Sequence, residues 1–258
     1  LTGVPLWVVE RDGARVYICG VRPIAGDGAW LTPVIENALG ECEVFWCETP
    51  PATEFTSHPL LAELGLSDVP LRDRLDASTN ERLDGVARAA GLDPAGLQVF
   101  RPWVAGQIVR HATYAPLYSG PTMDETLADM ALRHGATVRT EFTADAVIRT
   151  FGEMSAEVEA DMLRFELDSL EPGAAMLRER YLRGINGNLA WDEAEALHVA
   201  TKYPELFDVI LRHRNLAWEP RIDAALRDRV PTFVAVGTLH LVGPDNVLSL
   251  LRDEVLPA

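Results

Sequence analysis

Three short apolar runs constrain this chain most: Val16-Tyr17-Ile18-Cys19, Val44-Phe45-Trp46-Cys47 and Phe233-Val234-Ala235-Val236. They end on Gly20, Glu48 and Gly237, and each reads as a strand. The first is preceded by Leu6-Trp7-Val8-Val9 and the turn signal Arg11-Asp12-Gly13-Ala14, which together predict a hairpin. Pro33 in a first turn and apolar Val34, Ile35, Ala38 and Leu39 predict a helix from about Thr32 to Gly40. A strand is also expected over Thr137–Thr140, closing on Glu141, and a helix from near Pro244 through Leu251.

Between these ends the chain reads as helical. Ser78 with Glu81, and Thr122 with Glu125, have the spacing of capping boxes for helices that stop near Gly91 and Gly135. Two or three long helices are expected between Ser155 and Arg229, the first with Val158, Met162, Phe165, Leu163, Leu167 and Leu170 on a broad apolar face. Strands alternating with helices at both ends imply an α/β fold: a mixed central sheet covered by helices on both faces. The expected organisation is one domain over 1–258, with sheet-forming ends about 1–50 and 230–258 and a helical insertion about 55–229.

Composition narrows the function classes. At 258 residues with 48% hydrophobic content the chain can bury a sizeable core. Its formal charge of −16 opposes nucleic acid and anionic membrane surfaces, and no apolar run is long enough to span a membrane. Cys19, Cys42 and Cys47 read by default as buried thiols, with a Cys42–Cys47 disulfide the open alternative. Opening on Leu1 rather than methionine reads as a trimmed chain or a processed product.

In sheets of this kind ligands bind beyond the carboxyl ends of the strands. Were the three strands parallel neighbours, Arg22, Glu48 and His240 would share one rim, centred on the turn Gly237-Thr238-Leu239-His240. A carboxylate and an imidazole there could hold a metal or work as base and acid. Arg214 and Trp218, four apart on a helix, would let the indole brace the guanidinium. Phosphate-binding, HExxH and GxSxG motifs are absent, and Gly26-Asp27-Gly28 is too little for a dinucleotide fingerprint. The other histidines, His58, His111, His134, His198 and His213, are scattered.

The two ends together resemble the TraB/PrgY/GumN family, relatives of the Tiki proteases and, more distantly, of the erythromycin esterases. The likeness runs from Leu6-Trp7 and Val16–Gly20 through Trp30–Pro33, Cys47-Glu48-Thr49, Gly91-Leu92 to Pro102-Trp103, and Asp124 to Glu141. It is most specific over Arg214-Asn215, Trp218, Ile222 and Phe233–Gly243. The resemblance implies GxxH motifs at two strand ends and a glutamate at a third, with metal-dependent peptide hydrolysis in the Tiki branch. In the erythromycin esterases, a histidine and a glutamate at related strand ends are base and partner. An extracytoplasmic location and a peptide or small-molecule ligand are also implied.

The first GxxH position departs from that pattern, reading Gly20-Val21-Arg22-Pro23, with proline where the histidine belongs. Two functions follow. In the first the chain is a peptide or ester hydrolase, with His240 and Glu48 catalytic and the same pair holding a weak divalent metal (Mn, Co or Zn). In the second it is a non-catalytic module that recognises a peptide or small anion. In both, Arg22, Arg214 and Asn215 contact the ligand, and Gly20 and Gly237 let backbone approach it.

Overall fold

The computed structural model describes residues 3–22, 30–50, 52–117, 120–251 and 255–258. They form two compact units. The first, Leu1–Pro50 with Tyr118–Glu141 and Arg180–Ala258, carries the sheet, so residues 180–229, read as part of a helical middle, belong with it. The second is Pro51–Leu117 with Phe142–Glu179.

The sheet has six strands: β1 (Leu6–Arg11), β2 (Ala14–Val21), β3 (Val44–Cys47), β4 (Thr137–Thr140), β5 (Thr232–Gly237) and β6 (Val255–Pro257). Their order is β4-β3-β5-β2-β1-β6. β1 and β2 form the expected hairpin, turned by Asp12 (φ 50°) and Gly13 (φ 83°), the two positive values that a type I′ turn needs. β5 lies between β2 and β3 and is parallel to both. The fold is therefore α/β with a mixed sheet.

Side chains alternate across the sheet, which gives each face its own cover. Val16 and Ile18 on β2 and Val234 and Val236 on β5 pack with Trp218, Ile222 and Leu226 from the helix His213–Arg227. On the other face the rings of Tyr17, Phe233 and Phe45 stack in a row. The helix Met123–Arg133 packs against β3 and β4 and buries Met123, Leu127 and Ala131. Its N-terminus is the reciprocal Thr122–Glu125 capping box. Both covering helices belong to the first unit.

The second unit packs Leu83, Ala87, Val109, Leu163 and Leu167 in its own core. Its hub is Arg101, whose Nη1 donates to the carbonyls of Leu64 (3.0 Å) and Gly152 (2.7 Å) while Nη2 pairs with Glu159. Those carbonyls close the helices Pro59–Gly65 and Ala144–Gly152, where the helix dipole is negative and a cation is welcome. Gly152 permits the approach, since a Cβ there would stand 2.7 Å from Leu64 Cβ.

Several local expectations change. The helix Ala77–Ala89 is capped by Asp76, not Ser78, because the Asp76 carboxylate takes the Thr79 amide (2.8 Å) and also meets Arg164. The helix Ala144–Gly152 was not expected. The stretch read as two or three helices contains Ala156–Leu170, Gly173–Gly184, Ala190–Lys202, Pro204–Phe207, a π-helical turn Asp208–Arg212 and His213–Arg227. After β5 the expected long helix is only Val247–Leu250, capped by Asn246, before the chain returns as β6 on β1. The cysteines are free and buried, so the disulfide alternative falls.

Candidate functional site

The parallel register aligns the three strand ends. Cys19, Ala235 and Cys47 stand level, as do Val21 and Gly237 two residues beyond. Glu48 and the turn bearing His240 therefore emerge side by side from neighbouring strands. That turn is a short 3-10 helix, Thr238–Leu241, fastened to β2 where the Thr238 hydroxyl donates to the Val21 carbonyl (3.0 Å).

Glu48 is the hub. Its Oε1 pairs with Arg214 and lies 3.3 Å from His240 Nε2, and its Oε2 accepts from the Gly237 amide (3.1 Å). Burial pushes this carboxyl up, but the charges of Arg214 and His240 and the Gly237 amide outweigh it and hold it well below the usual carboxylate range. Asn215 completes the cluster: its Nδ2 donates to the Asp245 carbonyl (2.8 Å), and its Oδ1 sits 2.6 Å from His240 Nδ1. Arg214 and Asn215 leave the helix His213–Arg227 just after the π-helical turn, a bulge common beside functional sites.

The donor pattern fixes the imidazole. With Nδ2 spent on a carbonyl, Asn215 offers His240 an oxygen, so Nδ1 carries a hydrogen. His240 is 5% exposed, and its Nε2 faces the Glu48 carboxylate.

The remaining candidates fall differently. Arg22 at the end of β2 is bound in bidentate fashion by Asp192 (2.9 and 2.5 Å), and the two side chains are 13% and 7% exposed. This pair needs Gly184, because a Cβ there would lie 2.2 Å from the guanidinium. Gly20 is a packing glycine, with Pro5, Thr238 and Leu241 within 3.1 to 3.3 Å of where a Cβ would stand. Gly237 has φ −53°, so it does not serve a left-handed turn; a Cβ would touch Glu48 Oε2 at 3.4 Å. Trp218 is buried edge-on against Trp46 in the core, while Arg214 extends to Glu48. Pro23 and Gly26-Asp27-Gly28 lie outside the described residues.

Asp124 escaped the search along strand ends. It stands in the first turn of the helix Met123–Arg133, within electrostatic reach of Glu48, Cys19 and Cys47. Burial, then the Glu48 charge, push its carboxyl up to about 7, and burial pushes the Cys47 thiol up to about 12. The usable signal was the Thr122–Glu125 box, which sets Asp124 in a helix's first turn.

A divalent metal does not fit this donor set. Each Glu48 oxygen already accepts from a positive or polar hydrogen, and the Arg214 guanidinium occupies the position a cation would take. Among the described residues no three His, Cys, Asp or Glu side chains converge in a metal-binding group. In the second unit a cavity of about 360 Å³ lies beside Arg82, whose charge is spent on Asp168 and Glu171. Among the described residues no helix is long and apolar enough to cross a membrane.

Comparison with known proteins adds one finding. The family model described as TraB/PrgY/gumN matches residues 5–255, nearly the whole chain. No curated protein and no solved structure matches it. The strand-end glutamate, the Arg214-Asn215 pair and the GTLH turn that make up the cluster lie inside the matched span, and the chain belongs to the TraB/PrgY/gumN family.

Proposed function

We propose that the chain is a hydrolase of a peptide or ester bond that works by side-chain acid–base chemistry at the ends of β2, β3 and β5. The observation that carries this reading is the relay Asn215–His240–Glu48–Arg214. Asn215 orients the imidazole through Nδ1, and Glu48, kept ionised by Arg214 and the Gly237 amide, faces its Nε2. His240 is then the group that takes the proton from an attacking water and passes it to the leaving amine or alkoxide as the acyl bond breaks, rather than the metal ligand that the family likeness implies. Arg214 acts through Glu48 and is a positioning residue.

The second reading, a module that binds without turnover, is favoured by the internal matching of Arg22 with Asp192 and of Arg214 with Glu48. One assay separates the two: a panel of p-nitrophenyl esters and peptide p-nitroanilides, with and without chelator. Turnover that resists the chelator and drops at least about a hundredfold in His240→Ala is the expected result. No turnover on any substrate, with the fold intact, would leave the binding module as the function.

A further inference from the structure

We propose that Asp245 is a positioning residue of the relay: through its main-chain carbonyl it decides which ring nitrogen of His240 carries the hydrogen. The proposal rests on the reading that His240 is the reacting group at these strand ends.

A neutral imidazole holds one N–H, and its neighbours select the nitrogen that bears it. At Nδ1 of His240 the neighbour is Asn215 Oδ1, 2.6 Å away, and at Nε2 it is Glu48 Oε1, 3.3 Å away. The Asn215 amide could present either end to the ring, since its oxygen and nitrogen have nearly the same shape. Its other hydrogen bond settles the choice, because Nδ2 donates to the Asp245 carbonyl (2.8 Å). Asn215 is 1% exposed, so water does not compete for that amide. The oxygen therefore faces the ring and draws the hydrogen onto Nδ1, which leaves Nε2 to take a proton. Were the Asp245 carbonyl turned away, the amide could reverse, and its N–H would push the ring hydrogen to Nε2.

The carbonyl is aimed by a left-handed backbone. Asp245 has φ 48° and lies in the loop between the His240 turn and the helix Val247–Leu250. Aspartate tolerates that conformation better than most residues, and β-branched residues tolerate it least. The loop around it is pinned. Asn246 Nδ2 donates to the Gly243 carbonyl (2.7 Å), and a Cβ on Gly243 would stand 2.6 Å from Ala196 Cβ on the helix Ala190–Lys202. The Asp245 carboxylate accepts from Arg212 Nε (2.8 Å), and Arg212 Nη1 also holds Asp208 (2.5 Å) at the far end of the π-helical turn. The Arg212 and Asp245 side chains are 44% and 43% exposed, so this pair adds direction more than strength. One residue thus ties the π-helical turn and the loop after His240 to the Asn215 amide.

The test uses the full chain with isotope-labelled histidine and ring-nitrogen NMR, the His240 signals being those lost in His240→Ala. At about pH 9, where an ordinary imidazole is neutral, the wild type should carry hydrogen on Nδ1. Asp245→Val, which resists a positive φ, should shift it towards Nε2. Asp245→Gly keeps the φ without the carboxylate and should read as the wild type. In the ester and anilide panel Asp245→Val should lower kcat about tenfold or more with KM within about twofold, and Asp245→Gly should restore most of the loss. A merely structural residue would lower Tm in both variants and leave the ring hydrogen where it was. Hydrogen on Nε2 alone in the wild type, an unchanged ring in Asp245→Val, or an equal shift in Asp245→Gly overturns the proposal. Should Asp245→Val fail to fold, the other two proteins decide: hydrogen on Nδ1 in both supports it, and on Nε2 alone in either overturns it. The NMR reading needs no substrate, which keeps the two ideas apart. A ring hydrogen that follows Asp245 without turnover supports this inference and removes the hydrolase; turnover with a ring indifferent to Asp245 does the reverse.

Discussion

Two buried charge clusters invite comparison, the Arg101 hub of the helical unit and the Glu48 hub of the sheet unit. Arg101 is satisfied largely by main chain, two carbonyls at helix ends, with one carboxylate, Glu159, that is 1% exposed. Glu48 is satisfied mainly by side chains drawn from a helix and a turn, and its charge acts on a second carboxyl, Asp124. The first arrangement holds helix ends together and matches its charges, although Glu159 Oε2 takes no hydrogen bond among the described residues. The second gathers an imidazole and an orienting amide at strand ends, with the Asp124 carboxyl in electrostatic reach and in no ion pair among the described residues. Buried charge alone therefore does not mark a site; convergence of side chains does.

The contrast can be broken by measurement. The largest expected effect is Arg101→Met, which strands the Glu159 charge in the interior and should cost about 3–5 kcal/mol in urea unfolding. A loss under about 1 kcal/mol would mean that the hub is not structural.

Glu48→Gln should cost less, about 1–3 kcal/mol, because the Arg214 and Glu48 side chains keep some access to water, and it should remove any turnover found in the ester and anilide panel. The folded carboxyl is held low, so its stabilisation is present above the ordinary range near 4.3 and fades as pH falls below it. Acid unfolding of the Gln variant should therefore be shallower, and an unchanged profile would contradict the Glu48 assignment.

Asp124→Asn should act with the opposite sign. A carboxyl raised to about 7 favours the fold fully below about pH 4, and that advantage is lost as pH climbs through 7. The variant should thus be more stable than the wild type by about 1–2 kcal/mol at pH 8, after allowance for partial exposure, and no more stable at pH 4. Lower stability at pH 8 would make Asp124 a structural residue. The smallest effect is expected for Thr238→Val, which removes the bond to the Val21 carbonyl at about 1 kcal/mol while loosening the His240 turn. Its KM should hold while kcat falls; the reverse pattern would place Thr238 in ligand binding.

Much of this centre is legible in sequence because strands announce their own ends. Gly20, Glu48 and Gly237 each stop an apolar run, and the parallel register does the rest, bringing Glu48 and His240 together as the spacing suggests. The Thr122–Glu125 box is equally local and equally readable. What escapes is pairing between distant residues. Nothing near Arg22 foretells that Asp192, 170 residues on, takes its charge. Likewise the Asp76 cap outcompetes Ser78 partly because Arg164, 88 residues away, supports it. β6 was hidden because three residues on an edge carry no period, and Asp124 because its meaning comes from β3, not from its own helix.

The place of β5 in the sheet carries a consequence for how the protein is made. Its partners β2 and β3 are complete by residue 47, yet the strand that joins them begins only at Thr232. On the ribosome the early strands must wait through most of translation with a gap where β5 belongs, a long-range closure of the kind that slows folding. A chain cut short before that strand would have no His240, no neighbour for either inner edge, and every reason to aggregate or seek a chaperone.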